Sequence, residues 1–371
     1  MDEVLDDSKH ENQALRGRAR RQAEIIERTL AGLGYAAQVR NIHHGPRFTQ
    51  FSLRPSFREQ ISNIVKVEPD LAVALSGALA EIEEPVPGYP YLTLLVENHR
   101  SPEVKLRRVL ESPLFQQKQG GLKIALGLDT FGEAAAADLA AMPHLLIGGA
   151  TGSGKSVCLR AITAGLLCTY NPDALRLLVI DPTGVELKSY SSLPHLVGPV
   201  VARSDRVLEA LNSTLTEIER RYRLFAEIRV RDITAYHRQA SQPLPYLIII
   251  MDNLLDLMLN APKELEQAMS RIAQRGRAAG IHMVLSSQRT NVSALSGSIK
   301  ANFPGRIAFS VTDRAESQLI LDSAGAEKLL GQGDMLFKSP AAARLQRIQG
   351  VFVSPSEIRR IADFWRGQGQ G

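Results

Sequence analysis

Short, almost wholly apolar runs alternate with longer stretches in which apolar residues recur every three or four positions, from Leu145 onward. The runs LLIGG, LRLLVID, YLIIIMD, IHMVLSS and RIAFSV predict strands. The stretches Ser156–Thr169, Ser204–Phe225, Lys263–Ala279 and Arg314–Leu321 predict helices, with a loop and a further short helix before RIAFSV. Near-continuous apolar strands joined by helices predict a mainly parallel sheet covered on both faces, hence an α/β fold. Met335–Phe337 and Gly350–Val353 are expected as late strands.

Upstream the pattern is mixed. Ile25, Ile26, Leu30 and Leu33 stand at helical spacing within residues 23–39, which close near Gly34. Arg47–Leu53 and Tyr89–Val96 alternate as strands do, and a helix-like stretch, Pro69–Glu84, lies between them. The expectation is a small α+β subdomain at 23–105, ahead of a larger domain at 106–353. Residues 1–22, acidic and then basic through Arg16, Arg18, Arg20 and Arg21, are expected as a flexible tail, and 354–371 as a second one.

Composition acts mainly by exclusion. With 44% hydrophobic and 22% charged residues the chain is neither disordered nor fibrous. No run approaches the roughly 18 consecutive apolar residues of a membrane span. The polar, acidic start is no signal peptide, so a cytoplasmic location is expected. Cys158 and Cys168 share one expected helix without metal-like spacing, and read as small apolar residues in a reducing interior. His144 and His195, each preceded by proline, are expected to pack rather than to ligate.

The strongest chemical signal is Gly149-Ala150-Thr151-Gly152-Ser153-Gly154-Lys155-Ser156, set between an apolar strand and a helix. It fits G-x-x-x-x-G-K-[ST], in which glycines let backbone N–H groups converge on phosphate oxygens. Val157 continues the loop into the helix, Lys155 would reach the β- and γ-phosphates of a nucleotide such as ATP, and Ser156 would ligate Mg²⁺. A second carboxylate is needed from a neighbouring strand. LRLLVID ends in Asp181 and YLIIIMD in Asp252; Asp252 is preferred, because its strand is purely apolar and lies farther along the chain. The next residue, where a glutamate would deprotonate water, is Asn253, an amide that cannot accept a proton. Asp256 and Glu186 are the nearest substitutes in sequence. Gln288, at the end of the strand Ile281–Ser287, is a candidate phosphate sensor. A net charge of +5 names no partner, but its distribution is informative. Between Gln267 and Thr312 there are six basic residues (Arg271, Arg275, Arg277, Arg289, Lys300 and Arg306) and no acidic one. Such a block favours a polyanion or a neighbouring subunit's phosphate.

The runs MPHLLIGGATGSGKS, LLVIDPTGVEL, SSLPHLVGPVV, EIERRYRLFAEIRVRDITAYH, PYLIIIMDNLLDLM, RIAQRGRAAGIHMVLSSQRT, SGSIKANFPGRIAFSV and ILDSAGAEKLLGQGDMLF together resemble the FtsK/SpoIIIE family of DNA-pumping ATPases. The resemblance covers about residues 140–340, and continues more weakly through 23–140 in GYAAQVRN, HHGPRFTQFSLRP and ADLAAMPH. It implies a RecA-like P-loop NTPase domain behind an α subdomain, assembled as a hexameric ring around double-stranded DNA. It further implies that Lys155 and Ser156 hold nucleotide and Mg²⁺, that Asp252 is the second-motif acid and that Gln288 senses the γ-phosphate. Arg277 matches the arginine offered to the adjacent subunit's ATP. Arg289 and Arg314 match DNA-facing positions, and Lys300 lies in the same basic region. The sequence departs from the family pattern at Asn253 for Glu, Thr183 for Lys, Thr290 for Pro, and Gln318 for a basic residue. The family's membrane spans and winged-helix γ subdomain are not read here, so a soluble member or a motor core is expected. Three functions stay open at this stage: a DNA translocase, an ATP-binding ring scaffold with little turnover, and a secretion-type relative that moves protein.

Overall fold

The computed structural model describes residues 12–56, 61–83, 91–99, 102–117, 121–184, 186–254, 257, 262–287 and 297–368. The chain forms two units, a smaller one of Asp7–Val104 with Leu128–Ala134 and a larger one of Lys105–Gly127 with Ala135–Gly371.

The smaller unit contains α1 (Asn12–Gly32), β1 (Ala37–His44), β2 (Phe48–Pro55), α2 (Ile61–Val65), α3 (Glu68–Ala74), β3 (Ala80–Glu83) and β4 (Leu92–Glu97). Its strands form an antiparallel sheet in the order β1-β2-β4-β3. Ile26 and Leu30 of α1 share its core with Phe51, Leu53, Leu71, Leu92 and Leu94. Helix α1 starts at Asn12, so the second half of the expected N-terminal tail is helical. A stripe through Ala19, Ala23, Ile26 and Leu30 faces the core, and the charged residues occupy the remaining sides. Ile25 and Leu33, which share the helical spacing of Ile26 and Leu30 in sequence, are exposed. The stretch Pro69–Glu84 is not one helix. Ser76 (φ 63) and Gly77 (φ 80) turn the chain after α3, and Ala80–Glu83 becomes a strand instead. Pro85, Pro87 and Pro90 lie outside the described residues.

The larger unit continues through β5 (Val104–Lys105), α4 (Leu106–Leu110), α5 (Pro113–Gln116), β6 (Lys123–Asp129), β7 (Ala134–Asp138), β8 (His144–Gly148), α6 (Lys155–Thr169) and β9 (Leu175–Ile180). There follow α7 (Ser204–Glu227), α8 (Ile233–Gln239), β10 (Tyr246–Met251), α9 (Pro262–Ala279), β11 (Ile281–Ser287), α10 (Gly297–Asn302) and β12 (Gly305–Phe309). The last elements are α11 (Arg314–Leu321), β13 (Asp334–Lys338), β14 (Gln346–Phe352) and α12 (Pro355–Gln368). The sheet runs β7-β6-β14-β13-β12-β8-β11-β10-β9. Its half from β12 to β9 is parallel, and β13 and β14 are added antiparallel. This is an α/β fold of the P-loop ATPase kind. On one face, α7 and α9 bury Leu211, Leu215, Met269 and Ile272 against Ile249, Met283 and Leu285. Helix α6 is apolar nearly all round, which fits its burial. Burial pushes the thiols of Cys158 and Cys168 up to about 12, as inert packing residues require.

Residues 355–368, expected within a C-terminal tail, form α12. Its start is a capping box, in which the Ser354 N–H donates to Glu357 at 2.8 Å while Ser354 Oγ accepts from the Glu357 N–H at 3.3 Å. Ile358, Ile361 and Ala362 are buried, and Trp365 Nε1 donates to the Leu167 carbonyl at the end of α6 at 3.0 Å.

Candidate active site

Strand β8 is buried throughout and delivers the chain to the glycine loop at its carboxyl end, across β11 from β10. Gly149 (φ 147), Gly152 (φ 76) and Gly154 (φ 127) all have positive φ, which side chains rarely tolerate. The loop is held from outside itself. Ala150 N–H donates to the Ser310 carbonyl at 2.9 Å, and Gly333 N–H donates to the Ser153 carbonyl at 3.2 Å. A Cβ on Gly154 would stand 3.1 Å from Gly333 and from the Phe309 ring, whereas one on Gly152 would meet nothing within 4 Å. The curl is therefore braced on one side and open on the other. Ala150, Thr151 and Ser153 lie in the same loop, and Ser156 and Val157 follow Lys155 in the first turn of α6.

Lys155, the first residue of α6, is only 4% exposed. Its ammonium donates to the Ala150 carbonyl at 2.6 Å. Burial lowers its pKa to about 8, with the charge of Asp252 acting in the opposite sense. Ser156, half-buried, follows it at the helix N-terminus, where backbone N–H groups favour an anion.

The two candidate carboxylates separate cleanly. Asp181 accepts from Thr183 Oγ1 at 2.7 Å and from the N–H groups of Gly184 and Leu187 at 3.0 and 2.9 Å, so it is spent on shaping its own loop. Asp252 is 1% exposed, and among the described residues neither of its oxygens has a partner in hydrogen-bond geometry. The Ser286 hydroxyl and the Asn253 N–H lie close enough to favour its anion but do not complete such a bond, and burial raises its pKa overall. A buried, unsatisfied carboxylate beside a glycine loop fits the water shell of a divalent cation such as Mg²⁺, with Ser156 as the second oxygen donor. Among the described residues no cluster of three or more His, Cys, Asp or Glu forms a separate metal site.

Asn253 is buried with φ 53, a left-handed conformation that asparagine adopts more readily than most residues. Gln288, Arg289, Thr290 and Asp256 lie outside the described residues. Arg277 is exposed in the last turn of α9, and its charge is felt at His144 and His282, which begin or nearly begin β8 and β11. It thus stands at the opposite end of the strands from its own glycine loop, roughly 13 Å along β8. Lys300 belongs to α10 rather than to an open loop, and pairs with Asp322 at 3.2 Å. Arg306 and Lys338 bind the same carboxylate, which they hold at about 2 against the effect of burial. Arg314 and Gln318 are exposed on α11. His144 and His195 are fully buried and engage the backbone carbonyls of Ala273 and Tyr170. Sequence reasoning missed the brace formed by Phe309 and Gly333, and the Ser286 hydroxyl beside Asp252. Only the paired glycines Gly331 and Gly333 hinted at the first.

No helix among the described residues is long and apolar enough to cross a membrane. The FtsK/SpoIIIE family pattern matches residues 105–242 and 237–292, and the FtsK alpha domain pattern matches residues 2–98. The chain is 43% identical over 356 residues to the DNA translocase FtsK of Bacillus cereus, covering 93% of this chain and 45% of that protein. It is 41% identical over 372 residues to the DNA translocase SpoIIIE of Bacillus subtilis, covering 97% and 47% respectively. The chain therefore spans about half the length of these relatives. Among solved structures, the conjugation coupling protein TcpA in its monomer form with ATPγS superposes with a TM-score of 0.63 at 21% identity, over 93% of this chain and 99% of that one. ATPases 2 and 3 of EssC from Geobacillus thermodenitrificans superpose at 0.61 and 19% identity, over 67% of this chain and 50% of that one. With both segments matched in order and more than 40% identity over nearly its whole length, the chain belongs to the FtsK/SpoIIIE family.

Proposed function

We propose that this chain is the motor portion of an ATP-driven double-stranded DNA translocase that works as a hexameric ring in the cytoplasm. The observation that carries the reading is the braced glycine loop lying near the unsatisfied Asp252 carboxylate. The backbone N–H groups of the loop receive the β- and γ-phosphates, and Lys155 exchanges the Ala150 carbonyl for a phosphate oxygen. Ser156 and Asp252 would hold Mg²⁺, which when bound offsets charge on the β- and γ-oxygens. Arg277 is exposed and a strand length from its own loop, which supports the view that it serves the triphosphate of an adjacent subunit. A guanidinium supplied across a subunit junction is worth about 10³–10⁵ in rate. Arg289, Lys300 and Arg314 are proposed to face the DNA phosphates, with Lys300 steered by Asp322. Gln288 is proposed to sense the γ-phosphate.

The test is ATP turnover with and without linear duplex DNA, on protein first sized for ring formation. The expected result is DNA-stimulated hydrolysis that Lys155→Ala abolishes. A parent rate equal to the Lys155→Ala rate, with DNA present, refutes the reading. One observation favours a second reading, an ATP-binding ring with little turnover: Asn253 cannot take a proton from water. That reading predicts nucleotide-stabilised rings with negligible hydrolysis. A protein-moving role predicts retention on DNA that is independent of salt, whereas phosphate contacts make it steeply salt-dependent.

A further inference from the structure

We propose that Glu186 is the group that takes the proton from the attacking water, the role that Asn253 leaves open; this rests on the ATPase reading above. The loop after β9 is held on both sides of Glu186. Asp181 accepts from Thr183 and Gly184 before it and from Leu187 after it. Glu186 Oε2 lies 3.7 Å from Arg160 Nε on α6, and the same Nε donates to the Ser156 carbonyl at 3.4 Å. The Tyr190 hydroxyl donates to the Arg160 carbonyl at 3.0 Å, tying the far end of the loop to the same turn of α6. These two contacts in series hold the Glu186 carboxylate beside the first turn of the helix that carries Lys155 and Ser156. From the other side, its charge is felt at the Asp252 carboxyl. Glu186 therefore flanks the region between the two residues proposed to hold the cation.

Among the described residues the competing groups have other duties. Asp181 is consumed by three donors, Asp252 is wanted as the anion beside the cation, and Asn253 has no proton affinity to offer. Glu186 is half-exposed, with 31% of its side chain open to water, and at 3.7 Å its contact with Arg160 is an ion pair longer than a hydrogen bond. It keeps lone pairs for a water molecule. In the step itself, the water oxygen bonds to the γ-phosphorus as the bond to the β,γ-bridging oxygen breaks. ADP leaves with that electron pair, and the water proton passes to Glu186 and then to phosphate or solvent.

The experiment uses the full chain with linear duplex DNA, steady-state ATP turnover and titration of a fluorescent ATP analogue. Glu186→Gln is expected to lower turnover by about 10²–10⁴ while analogue affinity stays within about threefold. Because Glu186→Gln also alters the Arg160 pair, the double variant Glu186→Gln/Asn253→Glu supplies the second arm. It is expected to regain about tenfold or more, by restoring a base from the neighbouring strand. Asn253→Glu alone should gain less than about tenfold over the parent, because a base is already present. Parental turnover in Glu186→Gln overturns the inference, and so does a gain of about tenfold or more in Asn253→Glu alone. Loss of analogue binding together with turnover, without recovery in the double variant, marks Glu186 as structural and overturns it too. A parent rate no higher than that of Lys155→Ala overturns the ATPase reading itself, and with it this one.

Discussion

Gly152 and Gly154 stand two residues apart in the same loop, both at positive φ, and replacing each by alanine asks two different questions. At Gly152 the added methyl meets nothing within 4 Å, so Gly152→Ala costs only the left-handed backbone, roughly 1–2 kcal/mol. At Gly154 the φ of 127 lies in a region almost closed to side chains, worth roughly 1–3 kcal/mol. The methyl there also lands 3.1 Å from the Gly333 backbone, which is held by its own bonds to Ser153 and Gly350. Overpacking against backbone that cannot retreat adds roughly 1–3 kcal/mol. A domain of this size loses about 2–4 °C of Tm per kcal/mol, so Gly154→Ala should melt about 4–24 °C below the parent and Gly152→Ala about 2–8 °C below. Nucleotide binding should sort them differently. The methyl of Gly152→Ala projects into the open side of the loop, where a phosphate would sit, and should weaken a fluorescent ATP analogue by about tenfold or more. Thermal melts and analogue titrations on the two variants decide it. Equal losses of Tm, or parental nucleotide affinity in Gly152→Ala, would refute the reasoning about which side of the loop is open.

Three further outcomes follow from the same geometry. Lys155 has a depressed pKa, so its charge destabilises the folded chain at neutral pH, and this cost fades as pH rises through about 8. Lys155→Met should therefore stabilise the nucleotide-free protein at pH 7 by on the order of 1–3 kcal/mol, read as a higher Tm, while abolishing ATP binding; a lower Tm counts against a desolvated ammonium. Arg277→Ala mixed with Lys155→Ala should recover part of the DNA-stimulated turnover that each lacks alone, because some junctions then pair an intact loop with an intact arginine. No recovery in mixed rings would place the arginine's action within its own subunit. Asp322 is held low, near 2, by Lys338, Lys300 and Arg306, so its stabilisation is present above about pH 4 and lost as pH falls toward 2. Its side chain is 46% exposed, so Asp322→Asn should cost only about 1 kcal/mol, less in high salt, as read by denaturant melts at two ionic strengths.

The parallel half of the sheet was legible because its strands are buried on both faces and therefore nearly continuous in apolar residues, as in Leu247–Met251. The glycine loop was legible for a different reason: phosphate chemistry constrains residue type and spacing together. Elsewhere the signal was diluted. Helix α1 hides its first half because, among the described side chains, its buried stripe opens on alanines, Ala19 and Ala23, amid arginines. Strand β7, AAAAD, has the composition of a helix and is a strand only because the sheet edge recruits it. Helix α12 is legible in principle, through Ser354 and Glu357 three residues apart ahead of Ile358 and Ile361, but the Gly/Gln-rich sequence that follows has the composition of a tail. Within the site, sequence order distinguishes Asp252 from Asp181, and their hydrogen bonding differs as well. One aspartate is saturated by N–H and hydroxyl donors, and the other is not. The juxtaposition of Glu186 with Arg160 and Ser156 was not readable, because it joins a loop and a helix that no local periodicity links.

The Lys155 ammonium, folded back onto the Ala150 carbonyl, ties the last residue of the glycine loop to its beginning. A cradle kept in shape by its own cation has little to rearrange when a nucleotide arrives. Arrival swaps one oxygen acceptor for another instead of ordering a slack segment, so little conformational entropy is lost. A seat that holds its form in this way loses little on each exchange of occupant.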